Sequence, residues 1–174
     1  MGIQILPPGR VVVRAPVTMP EGEIRRLVEM KRPWIKAHLD RVRQREAEKK
    51  AAGTLSREEI QALAEQAVRE LPPRLRQWAA RVGVTYGRVT IRNQRTRWGS
   101  CSARGNLNFN CLLMLCPPRV ADYVMVHELC HRKEMNHSPR FWAEVARVMP
   151  DWQEARNWLK EYGPALIARM PEGE

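Results

Sequence analysis

The sequence lacks any apolar run long enough to cross a membrane. A membrane-spanning helix needs about 20 consecutive apolar residues, and no part of the 174-residue chain comes close. The N-terminal residues, Met1 to Pro8, also lack the basic stretch leading into a long apolar one that marks a secretory signal. We therefore expect no contact with a membrane and a cytoplasmic location.

Paired cysteines are also missing. The four cysteines do not form any C-x-x-C pair, which argues against a ribbon-type structural zinc site. In a reducing cytoplasm they should remain thiols. Cys130 is expected to pack in the core, because an unpaired cysteine behaves as a small hydrophobic residue.

Acidic residues are absent from one long stretch of a basic chain. The formal net charge is +11, and residues 91–120 hold five arginines without one Asp or Glu. Such a stretch would attract an anionic substrate or a nucleic acid, although a solvated basic surface is the alternative. Arg95 and Arg97 are the candidates for substrate binding, since the guanidinium fork matches phosphate oxygens. The sequence shows no zinc-finger pattern or recognition helix for DNA.

Histidine is scarce but concentrated. Of four histidines, His127, His131 and His137 fall within eleven residues, while His38 lies far away and is expected to be a surface or packing residue. His127-Glu128-Leu129-Cys130-His131 reads H-E-x-x-H, and positions i and i+4 of a helix share one face. Two imidazoles at this spacing can bind one metal ion, with the glutamate as general base.

A third ligand is expected just after this motif. His137 follows a helix break at Asn136, so the chain can turn back and present it; Glu144 in the next helix is the rival. A catalytic zinc usually takes three protein ligands and keeps one position open.

Three motifs together resemble the YgjP-like metallopeptidase family. They are R-W-G-S-C at residues 97–101, H-E-L-C-H at 127–131, and N-H-S-P at 136–139 with Phe141-Trp142 after it. The resemblance is strongest over residues 88–162, and a weaker match covers residues 9–16. It implies a zinc-dependent hydrolase of the zincin group, related to SprT-like proteases.

The resemblance also implies the roles of the site residues. His127, His131 and His137 would bind one Zn²⁺, or another divalent metal, and Glu128 would be the catalytic base. The chain departs from the family pattern between the first helix and residues 97–101, where it has fewer strands, so we expect a reduced N-terminal sheet.

The expected fold is α+β and zincin-like, with a small antiparallel sheet packed against helices and an H-E-x-x-H helix. The predicted domains are residues 1–52, a strand and a long basic helix; 53–166, the metallohydrolase domain; and 167–174, a flexible tail.

The N-terminal half is expected to be mainly helical. A strand at Arg10–Arg14 precedes a helix that begins in a capping box at Thr18 and runs to about Lys50. A second helix starts at Ser56, is interrupted at Pro72-Pro73, and resumes from Arg74 to Val82.

The C-terminal half carries the sheet and the motif helix. Strands are expected at Val84–Arg92 and Leu107–Leu115, the second antiparallel to what precedes it. Further helices are expected after Pro117-Pro118, after a cap at Ser138, and after a cap at Asp151.

Three substrate classes remain open. A peptide could pair with an edge strand, for which we predict Leu107–Leu115, with Asn108 and Asn110 on its polar face. A nucleotide such as UTP, a substrate class that the family resemblance also implies, could be held by Arg95 and Arg97. A DNA-associated protease or binding module, as among SprT-like relatives, is the third. Trp98 is expected to plug the core, and the oligomeric state is left open.

Overall fold

The protein divides into two compact units. The structure is a computed structural model, and it describes residues 2–6 and 10–171. The first unit comprises residues 1–53 and the second residues 54–174. None of the described helices is both long and apolar enough to cross a membrane.

The first unit is a β-hairpin followed by a long helix. Strands β1 (Gly2–Leu6) and β2 (Arg10–Arg14) pair antiparallel. β2 was predicted and β1 was not. Gly9, where the weaker resemblance to the family begins, lies outside the described residues.

Helix α1 spans Glu21–Ala52, and its predicted cap is wrong. Pro20 occupies the N-cap position without a side-chain hydrogen bond, so Thr18 does not form the expected capping box. A salt bridge from Arg25 to Glu21 at 2.8 Å supports the first turn instead. His38 stacks on the exposed Trp34, with ring centroids 5.4 Å apart.

Helix α2 (Arg57–Val82) opens the second unit as predicted but does not break at its prolines. Ser56 and Glu59 form a reciprocal capping box. Pro72 and Pro73 lie inside one continuous helix, although proline removes a helix hydrogen bond. The helix persists because its apolar face is buried on both sides of the prolines, at Leu71, Leu75, Trp78, Ala79 and Val82.

The sheet of the second unit is mixed rather than wholly antiparallel. It contains β3 (Val89–Arg92), β4 (Gly99–Cys101) and β5 (Leu107–Asn110), in the order β3-β5-β4. β4 pairs antiparallel with β5, as expected, whereas β3 runs parallel to it. β5 is therefore the central strand, and the prediction of an edge strand there is wrong.

Both predicted strands are longer than the strands in the structure. The first strand forms only from Val89. The second ends at Asn110, because the Asn110 side chain accepts a hydrogen bond from Leu112 N at 3.0 Å and starts a 3₁₀ turn, Cys111–Leu115.

Three further helices complete the unit: α3 (Pro118–Cys130), α4 (Pro139–Val148) and α5 (Trp152–Ile167). Ser138 caps α4 through Phe141 N, as predicted. Asp151 precedes α5 but makes no capping hydrogen bond; its carboxylate instead accepts from Arg119, with Nε at 2.9 Å.

The segment after α5 is not a flexible tail as far as the structure describes it. Met170 is buried beside Leu55 and Leu112, and Leu55 N donates to Arg169 O at 2.8 Å. The apolar Met170 side chain, together with this backbone hydrogen bond, holds the segment to the core.

Because α2 continues through its prolines, shortening a buried side chain beside them should lower the stability of the fold strongly. Leu71→Ala should lower the free energy of unfolding by about 2–5 kcal/mol, because Leu71 is fully buried. Val68→Ala, on the same helix but 59% exposed, should change it by less than about 0.5 kcal/mol. Urea unfolding followed by circular dichroism measures both; equal effects would contradict this placement.

Candidate metal centre

Helix α3 carries the first two histidines on a buried element. It contacts α2, α4, α5 and β4. His127 lies in its last turn and His131 directly follows it as the C-cap residue, still in helical conformation. Their ring centroids are 4.9 Å apart. The i, i+4 spacing therefore brings both imidazoles to one place, as predicted.

The turn after α3 returns His137 to the same place. His137 Nε2 lies 3.0 Å from His127 Nε2. One nitrogen from each of His127, His131 and His137 lies within 4.8 Å of the others. We call these three residues the three-histidine group.

The group fits a zinc ion by its spacing and its chemistry. Ligand nitrogens about 2.0–2.1 Å from a tetrahedral zinc lie about 3.3 Å from one another, close to the observed His127–His137 separation. His131 Nδ1 lies 3.0 Å from Glu134 O, which favours a proton on Nδ1 and leaves Nε2 free to bind a metal.

The protonation of the rings also suits a metal. Burial lowers the pKa of His127 to about 3, helped by the neighbouring His131 and His137 and by Arg156. Burial likewise lowers the pKa of His131. Neutral imidazole is the form that binds metals. His127 Nδ1 is buried and has no hydrogen-bond partner among the described residues.

Aromatic side chains form the base of the group. Phe141 is fully buried, with its ring centroid 4.6–4.9 Å from those of the three histidines. Trp142 stacks on His137 at 5.7 Å. Both residues belong to α4, which Ser138 caps immediately after His137, so one short segment supplies a ligand candidate and its packing.

Glu128 lies beside the group in a low-dielectric setting. It is only 6% exposed, and burial raises its pKa to about 8, although the charge of Arg97 opposes the shift. A carboxyl whose pKa lies near neutrality suits proton transfer.

Gly99 on β4 allows the strand to approach Glu128. A Cβ at Gly99 would lie 2.8 Å from both Cγ and Oε1 of Glu128, which is closer than side chains tolerate. The sequence singles out Gly99 as part of the R-W-G-S-C motif, but does not indicate this contact. A glycine inside a strand is a signal of close approach, yet it does not identify the neighbour.

The four residues predicted to bind substrate differ in exposure and in the groups they contact. Arg97 is exposed and its charge acts on Glu128. Arg95 donates to Pro171 O at 3.4 Å, and Asn108 donates to Ser100 Oγ at 3.1 Å. Asn110 is fully buried and donates to Gln94 O and Arg97 O, so it holds the preceding loop and has no exposed surface for substrate.

Three further residues that the sequence singled out have partners or packing of their own. The carboxylate of Glu144, the rival ligand, bonds Lys133 and Arg147, each at 2.9 Å. Cys130 is fully buried in the core, and burial raises its pKa to about 12. Trp98 packs on the core and against Gly163, as expected for a plug.

We expect metal content to depend on His137 and not on Glu144. His137→Ala should reduce bound zinc as strongly as His131→Ala does, because each removes one of three converging nitrogens. Glu144→Ala removes only a carboxylate paired with Lys133 and Arg147. Elemental analysis of the purified variants measures this; zinc retained in His137→Ala but lost in Glu144→Ala would reverse the assignment.

Gly99→Ala should impair activity while leaving zinc bound. The added methyl displaces Glu128, and misplacing a reacting group by about 1 Å can cost about a hundredfold in rate. Gly22→Ala is the control, because nothing lies within 4 Å of a Cβ there. Equal rates in the two variants would show that the Gly99–Glu128 contact does not matter.

Comparison with known proteins identifies the family of the chain. A solved structure, the metallopeptidase zymogen abylysin of Pyrococcus abyssi, is 25% identical over 51% of this chain and 91% of that chain, with a TM-score of 0.45. No curated protein matches the chain significantly. The family described as "YgjP-like, metallopeptidase domain" matches residues 1–63 and 54–162. Since these matches span most of both units, the chain belongs to the YgjP-like metallopeptidase family.

Proposed function

We propose that this protein is a zinc-dependent peptidase in which Glu128 is the general base. The observation that carries the proposal is the convergence of three imidazoles beside one buried carboxyl group. Family membership supports a metal-dependent peptidase. Zinc as the metal and the role of Glu128 as the base are parts of the proposal.

The residues of the site have distinct tasks. His127, His131 and His137 would hold the zinc, which when bound supplies a Lewis acid that polarises the scissile carbonyl and acidifies water. Glu128 accepts a proton from the attacking water and later delivers it to the leaving amine. Burial raises the pKa of Glu128, which favours holding the proton until it is delivered to the leaving amine.

Strand β4 is the proposed binding edge for a peptide. Among the described residues, β4 has a neighbouring strand on one side only. An extended peptide could pair with this edge through backbone hydrogen bonds. Because Gly99 of β4 touches Glu128, a peptide paired there would pass next to the base.

A nucleotide substrate remains the alternative, and one observation favours it. Arg97 is exposed and close enough to Glu128 for its charge to act on that carboxyl, so it could meet a phosphate at the site. The wider basic stretch supports the alternative less, because Arg119 is paired with Asp151. A DNA-associated role rests on basic charge alone.

We also propose a cytoplasmic location. All four cysteines are unpaired, as expected in a reducing compartment.

Zinc-loaded protein tested against casein and against nucleoside triphosphates would decide between the substrate classes. Arg95→Gln/Arg97→Gln should change proteolysis only modestly. If the wild-type protein shows no proteolysis, and this double variant shows a large rise in the KM for a nucleotide, the phosphate alternative is favoured. Salt dependence gives a second criterion, since phosphate binding weakens as salt screens charge.

Glu128→Gln should keep the fold and the zinc but lower turnover by at least about a hundredfold. Glutamine is nearly isosteric with glutamate but cannot accept the proton from water. Circular dichroism and elemental analysis serve as controls for fold and metal. A near wild-type rate in this variant would remove Glu128 from the mechanism.

A further inference from the structure

The guanidinium group of Arg156, on α5, lies over a pair of stacked indoles. Its Cζ is 4.7 Å from the ring centroid of Trp142 and 5.6 Å from that of Trp152. The two indoles are themselves stacked, with centroids 4.5 Å apart and ring planes 19° from parallel. Cation–π contacts of this kind hold a guanidinium group in place while its N–H edge remains available.

Trp142 of this stack contacts the three-histidine group. Trp142 stacks on His137 at 5.7 Å and lies 5.8 Å from His127. Burial is the main cause of the low pKa of His127, but the charge of Arg156 also contributes. Arg156 therefore lies at the margin of the proposed catalytic centre, on the side formed by α4 and α5.

The Arg156 guanidinium has no anionic partner among the described residues, unlike the arginines of this unit that form ion pairs. Three that connect elements or stabilise a helix are paired with carboxylates: Arg74 with Asp122, Arg119 with Asp151, and Arg147 with Glu144. In the part of the chain that the structure describes, no acceptor lies within hydrogen-bond distance of the Arg156 guanidinium. Its donors are left for solvent or a ligand.

We propose that Arg156 binds a carboxylate of the peptide substrate, either the C-terminal carboxylate or an acidic side chain near the scissile bond. This inference rests on the proposed peptidase function. The guanidinium fork binds a carboxylate through two parallel hydrogen bonds. Because the indoles already orient the side chain, little conformational entropy is lost on binding. Arg156 is thus a specificity-determining residue beside the reacting centre.

The test compares matched peptides on a protein that does not turn them over. Zinc-loaded Glu128→Gln protein is titrated calorimetrically with one peptide as the free acid and as the C-terminal amide. A second pair, both amides, differs only in an internal Glu or Gln. At least one carboxylate form should bind about ten- to a hundredfold more tightly than its neutral partner, the range expected for a charged hydrogen bond. The pair that shows the preference identifies the source of the carboxylate.

Substitution at Arg156 then tests the residue. In the same Glu128→Gln background, Arg156→Gln should abolish the preference, and Arg156→Lys should keep part of it, since lysine retains the charge without the fork. Arg81→Gln is the matched control, because Arg81 also stacks on an indole, 4.8 Å from the Trp78 centroid, but does not affect the site histidines. It should leave the preference unchanged.

Three results would overturn the inference. They are equal binding of acid and neutral peptides, a preference that survives in Arg156→Gln, and the absence of any peptide binding. The second would mean that the carboxylate binds the zinc alone. Near-ultraviolet circular dichroism checks that the indole stack is intact in each variant.

The peptidase proposal can fail independently. If wild-type protein cleaves none of these peptides, yet an Arg156-dependent preference appears in the binding assay, the carboxylate site stands and the peptidase function does not. If the peptides are cleaved with no preference for either form, the peptidase function stands and the role of Arg156 is refuted.

Discussion

The burial of helix α3 is the constraint on which the site depends. It packs against α2, α4, α5 and β4, so its polar residues lie where water is largely excluded. Glu128 and His131 are, with Asn110, the buried polar residues of the described chain. Burying such groups is costly unless they find partners. A bound metal ion would provide the partner for the three converging imidazoles.

The same burial sets the chemistry of Glu128. Its pKa rises to about 8 because the carboxylate is poorly solvated, and only Arg97 opposes this. Strand β4 contributes to that exclusion of water, since Gly99 touches the carboxyl group. The edge proposed to bind substrate and the base proposed to act on it are therefore coupled by one contact, without any side chain between them.

The arginines of the basic stretch, residues 91–120, have different contacts in the fold. The acid-free stretch of residues 91–120 suggested a continuous basic surface. In the structure Arg119 meets Asp151 from beyond that stretch, and Arg95 donates to the Pro171 carbonyl. The charge of Arg97 acts on Glu128, while that of Arg156, which the pattern did not include, acts on His127.

The sequence by itself determined the features that depend on near neighbours along the chain. The spacing of His127 and His131 places both on one helix face, the break before His137 returns a third imidazole, and Ser56 and Ser138 cap their helices. Local geometry governs each of these, so a linear pattern suffices.

Tertiary structure decided the rest, because it depends on contacts between distant segments. Burial of its apolar face carries α2 through Pro72-Pro73, and pairing with β3 on one side and β4 on the other makes β5 central. The interior position of Asn110, the contact of Gly99 with Glu128, and the stacking of Arg156 on two indoles follow from the same packing. The periodicity and spacing of the sequence do not specify which residue a distant glycine or arginine will contact. These contacts define the environment of the reacting groups.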